Sequence, residues 1–252
     1  AIKLNAKMIG INNRNLRDLS TDIGRTFDYA PSLPDDRIII SESGIYTNAQ
    51  IRELAPAVDG FLVGSSLMDP NNNRYKDIDL ACRKLIFGNN KVCGLTEPQY
   101  ASVAANAGAR FGGLIFVKKS PRFVTPQMAQ RIIKASPHLE YVGVFVNAEI
   151  TEIVELVQRL QLSAVQLHGS EDEHFIHALM TELSDKECNF CQVWQASPVT
   201  NSVPLLNNEV NQHLLDGQSP GSGQPFDWQV LALSEQNLSK SFLAGGLNCN
   251  NI

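Results

Sequence analysis

Two residues in the second half of the chain have types suited to paired acid–base work. Cys93 closes the short apolar run Lys91-Val92-Cys93 and stands before Gly94, where a thiolate could act as base or nucleophile. Asp216 closes the run Leu214-Leu215 and could act as general acid or base. Each also has a simpler reading, Cys93 as a small buried hydrophobe and Asp216 as a loop carboxylate. Anion chemistry is the second theme. Gly245-Gly246 follows Phe242-Leu243-Ala244 and would let backbone N–H groups approach a phosphate. Gly221-Ser222-Gly223 reads as a phosphate cradle, a glycine-hinged lid or a plain flexible loop. Arg122, behind Ser120-Pro121, could grip a carboxylate or phosphate in bidentate fashion or stay solvated. Cys188 and Cys191 form a lone C-x-x-C. His174 and His177 lie upstream on an expected helix, without the ligand spacing of a zinc site, so no metal and no cofactor is expected.

Cys93, Asp216 and Gly245-Gly246 sit where short apolar runs end. Strand-like runs begin near Lys91, Gly112, Tyr141, Ser163, Gln192, Gln212 and Ser241. Between them lie amphipathic stretches. Thr125 to Ala135 puts Met128, Ile132 and Ile133 on one face, and Ile150 to Leu160 does the same with Ile150, Ile153, Val154 and Val157. Strands that are apolar throughout are buried on both faces, which implies a parallel sheet under helices. A strand-helix unit repeating about every 25 residues in strict alternation favours an eight-stranded barrel over a doubly wound sheet. In such barrels chemistry gathers at the carboxyl ends of strands. The first ninety residues repeat the theme. Strands are expected at Met8 to Asn12, Arg37 to Ser41 and Gly60 to Val63, and helices at Thr47 to Leu54, with Asn48 as a possible cap, and Asp77 to Phe87. Their strand ends carry Asn12-Asn13-Arg14, Glu42-Ser43-Gly44 and Gly64-Ser65-Ser66. Gly88-Asn89-Asn90 is a polar joint between the two series.

Composition narrows the function classes. With 21 Lys plus Arg against 26 Asp plus Glu, the 252-residue chain carries a net charge of −5, so a nucleic-acid partner is not expected. No apolar run approaches a membrane span, and 43% apolar with 19% charged residues is a globular composition. Five cysteines without framework spacing point to reduced thiols and a cytoplasmic setting. The chain starts at Ala1 and stops soon after a strand-like run, so it is expected to be a piece of a longer polypeptide, impaired in isolation.

The motifs resemble two known families. Lys91-Val92-Cys93-Gly94-Leu95-Thr96, Ser120-Pro121-Arg122, Val142-Gly143-Val144-Phe145, Gln166-Leu167-His168-Gly169-Ser170-Glu171, Gly221-Ser222-Gly223 and Leu243-Ala244-Gly245-Gly246-Leu247 occur in the order of phosphoribosylanthranilate isomerase. Ile9 to Leu16, Ser41 to Ile45 and Phe61 to Met68 are similar to the last three strands of indole-3-glycerol-phosphate synthase. The resemblance implies an α/β fold of two (β/α)8 barrels, both incomplete: residues 1–87 the end of the synthase barrel, 88–90 a linker, and 91–252 an isomerase barrel lacking its eighth strand. It implies a bifunctional, monomeric enzyme of tryptophan biosynthesis acting on phosphorylated anthranilate substrates. Asp216 would be the acid and Cys93 the base of an Amadori rearrangement. Arg122, Gln166, His168, Gly221, Ser222, Gly223, Gly245 and Gly246 would bind substrate or phosphate. Asn12, Arg14, Glu42, Ser43, Gly64 and Ser65 would be the remnant of the synthase site. Another phosphate-binding barrel enzyme, such as a sugar-phosphate epimerase, and a noncatalytic ligand-binding barrel are the alternatives.

Overall fold

The computed structural model describes residues 1–68, 78–217 and 225–251, which fall into two compact units, Ala1–Gly88 and Asn89–Ile252. In the first unit, strands β1 (Met8–Asn12), β2 (Ile38–Glu42) and β3 (Gly60–Leu62) form a parallel sheet in that order. Helices α1 (Gly24–Tyr29), α2 (Asn48–Leu54) and α3 (Ile78–Phe87) complete it. Strand β1 alternates strictly: Ile9 and Ile11 are buried, while Met8, Gly10 and Asn12 are exposed. The cap of α2 is Thr47, not Asn48. Thr47 has the extended backbone an N-cap requires, and its hydroxyl accepts from the Gln50 N–H at 3.2 Å. The Gln50 side chain accepts from the Thr47 N–H in return, closing a capping box. Asn48 instead donates its amide to the carbonyls of Leu85 and Ile86, both at 2.9 Å, tying down the last turn of α3. That helix ends at Gly88, whose φ of +72° a side chain would strain.

The second unit is a seven-stranded parallel sheet. It comprises β4 (Lys91–Cys93), β5 (Phe111–Ile115), β6 (Glu140–Phe145), β7 (Ala164–Leu167), β8 (Gln192–Pro198), β9 (Gln212–Asp216) and β10 (Ser241–Leu243). Every strand pairs with its neighbour in sequence, so the winding never reverses as it does in a doubly wound sheet. The sheet is also curled. Strands three apart in a flat sheet would lie about 14 Å from each other and strands five apart about 24 Å. Yet the ring of Phe111 on β5 is centred 5.0 Å from that of Trp194 on β8 and 5.9 Å from that of Phe242 on β10. These rings, with Val142 and Ala164, fill the concave interior.

The convex face is covered by α4 (Pro98–Asn106), α5 (Pro126–Ala135), α6 (Ile150–Leu160) and α7 (Glu173–Asp185), with a short α8 (Gln229–Ala232) nearer the end of the chain. Ile132, Ile153, Val157, Ile176 and Leu179 pack there against Leu114, Val165, Leu167 and Val193 of the strands. Cys188 and Cys191 are buried in this layer as ordinary core residues. Helix α5 is capped by Thr125, which accepts from the Met128 N–H at 3.2 Å. At the opposite end of the strands from their carboxyl termini, Arg110 and Glu140 form a buried ion pair at 2.5 Å. Asn89 accepts from the same guanidinium, and Asn90 accepts from the Arg110 N–H at 2.7 Å. The two asparagines of the joint thus fix the start of β5.

Candidate active site

Strand alternation places the side chains of interest on the concave face. On β5, Phe111 and Gly113 face inward, and Gly113 is the register partner of Cys93. A Cβ on Gly113 would stand 2.8 Å from the Cys93 sulfur, so glycine there makes room for the thiol. Cys93 is exposed at the rim, which sets aside its reading as a buried hydrophobe. Gly94 follows with φ +85°, and the space a side chain would need is filled by the stem of Arg122. The Arg122 guanidinium reaches the Cys93 carbonyl, Nη1 to O 3.4 Å. Cys93 and Arg122 are thereby brought together, although they come from different loops.

Asp216 lies across the interior at the end of β9. It alternates with Leu214, the register partner of Phe242, and so faces inward. Its residue is only 8% exposed, and one carboxylate oxygen accepts from the Gly217 N–H at 2.8 Å. The other stands 3.8 Å from His168 Nε2. His168 continues the inward alternation of Ala164 and Gln166 one step past β7, and its Nδ1 lies 2.9 Å from the Gln166 amide nitrogen. Burial pushes the His168 pKa down. The charge of Lys91 adds to this, while Asp216 and Glu171 oppose it. Gln166, His168 and Asp216 therefore form a second cluster. All three are site residues by family resemblance, but their contact is not written in any one motif, because β8 separates their strands.

The loops after β6 and β7 are stitched together by Glu171, which accepts from the N–H groups of Asn147 (2.7 Å) and Gly169 (2.8 Å). Asn147 accepts in turn from the Ser170 N–H at 2.9 Å. After β10, Gly245 and Gly246 have φ values of +79° and +67°. The Gly246 carbonyl is held by the side-chain amides of Asn248 and Asn251. Gly221, Ser222 and Gly223 lie outside the described residues.

In the first unit, Asn12 and Glu42 are register partners, and the Glu42 carboxylate occupies the space above Gly10. Asn12 accepts from the Arg14 N–H at 2.9 Å, and the Arg14 guanidinium donates to the Leu19 carbonyl at 3.1 Å. Ser43 sits at φ +68°, Gly64 has open space around it, and Ser65 lies in the turn after β3. What sequence reasoning missed here is Asn13. Fully buried, it donates to Ser41 Oγ (3.0 Å) and the Ser43 carbonyl (3.1 Å) and accepts from Thr26 Oγ1 (2.9 Å). It thereby holds the loop that presents Asn12 and Arg14. Its signal was its place inside Asn12-Asn13-Arg14, where only the flanking residues looked chemical. Among the described residues no three His, Cys, Asp or Glu side chains are grouped to hold a metal, and no helix is long and apolar enough to cross a membrane.

Comparison with known proteins follows the same division. Residues 1–79 match the family model of indole-3-glycerol phosphate synthase, and residues 90–252 that of N-(5'-phosphoribosyl)anthranilate isomerase. The chain is 46% identical to the tryptophan biosynthesis protein TrpCF of Vibrio cholerae and 47% identical to that of Yersinia pestis. All of the chain is covered in both cases, against 52% and 50% of those proteins. It thus spans about half the length of these curated relatives. Among solved structures, the phosphoribosyl anthranilate isomerase of Thermus thermophilus superimposes with a TM-score of 0.54 at 28% identity, over 65% of this chain and 79% of that one. An isomerase in complex with reduced 1-(o-carboxyphenylamino)-1-deoxyribulose 5-phosphate superimposes with a TM-score of 0.50 at 29% identity, over 65% and 78% of the two chains. A curled, sequentially wound parallel sheet with its chemistry at the strand ends, and a family match across that whole unit, lead to one assignment: the chain belongs to the N-(5'-phosphoribosyl)anthranilate isomerase family.

Proposed function

We propose that the second unit isomerises N-(5'-phosphoribosyl)anthranilate to 1-(2-carboxyphenylamino)-1-deoxyribulose 5-phosphate, with Asp216 as general acid and Cys93 as general base. Asp216 gives its proton to the furanose ring oxygen. The C1–O bond breaks with its electron pair on that oxygen, and the anthranilate nitrogen lone pair completes an iminium. The thiolate of Cys93 then takes the C2 proton, leaving an enolamine that tautomerises to the product. The iminium makes that proton acidic enough for a thiolate to remove. The observation that carries this reading is the exposed Cys93 thiol at the rim, on the same concave face as the Asp216 carboxyl. Arg122, already against Cys93, takes the anthranilate carboxylate in the bidentate manner its fork allows. The left-handed pair Gly245-Gly246 offers backbone N–H groups to the phosphate, and the family resemblance assigns Gly221, Ser222 and Gly223, outside the described residues, to the same group. A relative's complex with a reduced form of the product supports this substrate class.

The first unit closes the barrel of a synthase that forms the indole ring from that product with loss of CO2 and water, so the complete polypeptide has both activities. Asn12, Arg14, Glu42, Ser43, Gly64 and Ser65 are this unit's share of the synthase site. Support comes from the family match over residues 1–79 and from Asn12 facing Glu42 across the ends of β1 and β2.

The test is growth of tryptophan auxotrophs lacking either activity, carrying the complete protein. Cys93→Ala and Asp216→Asn should each abolish growth only where the isomerase is missing, with kcat down about 10²- to 10⁴-fold. Undiminished growth with both residues replaced would remove the reading.

A further inference from the structure

The interior of the second unit contains an ordered polar chain whose direction can be read from its chemistry. Gln166 is 1% exposed and its amide nitrogen lies 2.9 Å from His168 Nδ1. His168 Nε2 faces the Asp216 carboxyl at 3.8 Å. The reverse amide orientation would aim the Gln166 oxygen at Nδ1 and demand a proton there. A neutral ring would then turn its Nε2 lone pair toward the carboxylate that Asp216 becomes on giving up its proton, while a doubly protonated ring would carry a charge that burial and the Lys91 ammonium oppose more than Asp216 and Glu171 favour it. Once Asp216 has given up its proton, only one neutral arrangement leaves both facing pairs complementary: amide N–H to Nδ1, and Nε2–H to Asp216.

We propose that Gln166 is a positioning residue: its amide N–H locks His168 in the neutral, Nε2-protonated tautomer and so aims an N–H donor at the carboxyl of Asp216. The inference rests on the assignment of Asp216 as the acid. When Asp216 passes its proton to the ring oxygen, the carboxylate left behind meets the Nε2–H, and no proton leaves His168. The present separation is longer than a hydrogen bond, as catalytic contacts commonly are before substrate binds. Gln166 Oε1 has no hydrogen-bond partner among the described residues, so the amide is not fixed in this orientation by a second protein group on its oxygen.

Nitrogen-15 spectra of the complete protein, labelled in histidine and assigned with His168→Gln, read the tautomer directly at neutral pH. A neutral ring protonated at Nε2 is expected. Gln166→Glu, which presents only acceptors to Nδ1, should move the proton to Nδ1 and lower kcat about 10- to 100-fold at nearly constant KM. His168→Gln, whose amide places a donor near the Nε2 position, should retain more of kcat than His168→Phe. A ring protonated at Nδ1 or at both nitrogens in the unsubstituted protein would overturn the proposal. So would a Gln166→Glu effect confined to KM, which would make Gln166 a substrate contact. Absence of isomerase activity in the unsubstituted protein would overturn the acid assignment instead, and the spectrum would still decide whether the lock exists.

Discussion

The two units use the same strand-helix repeat and treat the inner face of the sheet in opposite ways. In the first, Met8, Ile38 and Leu62 on neighbouring parallel strands are all exposed. In the second, the inward positions Phe111, Val142, Ala164 and Trp194 are buried and packed ring against ring with Phe242. The residue types are alike, so polarity alone does not set burial. Seven strands curl far enough for the concave face to meet itself and become a core, whereas three strands turn through too little arc. A site lined by such a core inherits its rigidity, and Cys93, Gln166 and Asp216 all project from it.

The largest effect is expected at Phe111. Phe111→Ala should cost the second unit about 3–5 kcal/mol, because the cavity opens among rings that have no room to collapse. Both tryptophans, Trp194 and Trp228, lie in the second unit, so urea unfolding followed by tryptophan fluorescence reads it selectively. A loss below about 1 kcal/mol would mean the interior is not a true core. Next, Asn13→Ala should weaken the first unit by about 1–3 kcal/mol, because it takes the buried amide from Ser41, Thr26 and the Ser43 carbonyl and leaves the two hydroxyls only their 2.8 Å contact with each other. Hydrogen exchange should speed up in β1 and β2 with tryptophan fluorescence unchanged.

Acid should also separate the units, since all five histidines fall in the second. Burial lowers the pKa of both His168 and His213 in the folded state. The unfolded chain therefore binds the extra protons first. Stability from these groups is complete above the ordinary histidine pKa of about 6.5 and is lost as the pH falls below it. The urea midpoint read by fluorescence should drop between pH 7 and 5.5, and replacing both histidines with glutamine should flatten that slope. The smallest effect is expected at Met8. In the 252-residue chain, Met8→Ala, on the exposed face, should change stability by no more than about 0.5 kcal/mol. A larger loss would show that this face is already packed.

Consecutive residues encode what is local to them and little else. The runs forming β1, β6 and α6 announce themselves by periodicity, because burial on one or both faces is written into consecutive residues. The candidate acid and base could be found at strand ends for the same reason. The cap of α2 went to Thr47 rather than Asn48 because either residue suits the position and only the backbone chooses. The fit between Gly113 and the Cys93 sulfur depends on strand register, and the contact of His168 with Asp216 depends on curvature. Neither property belongs to any short stretch of chain.

The grip of Asn89 and Asn90 on Arg110 has a practical corollary for anyone dissecting the polypeptide. A scissor point belongs between Gly88 and Asn89, leaving the glycine to finish the upstream helix and both asparagines with the downstream piece. Starting that piece at Lys91, where the strand itself begins, would discard two of the acceptors around Arg110, leave Glu140 to hold its guanidinium and loosen the start of β5. A recombinant half trimmed only two residues too tightly could then be mistaken for one that is inherently unable to fold.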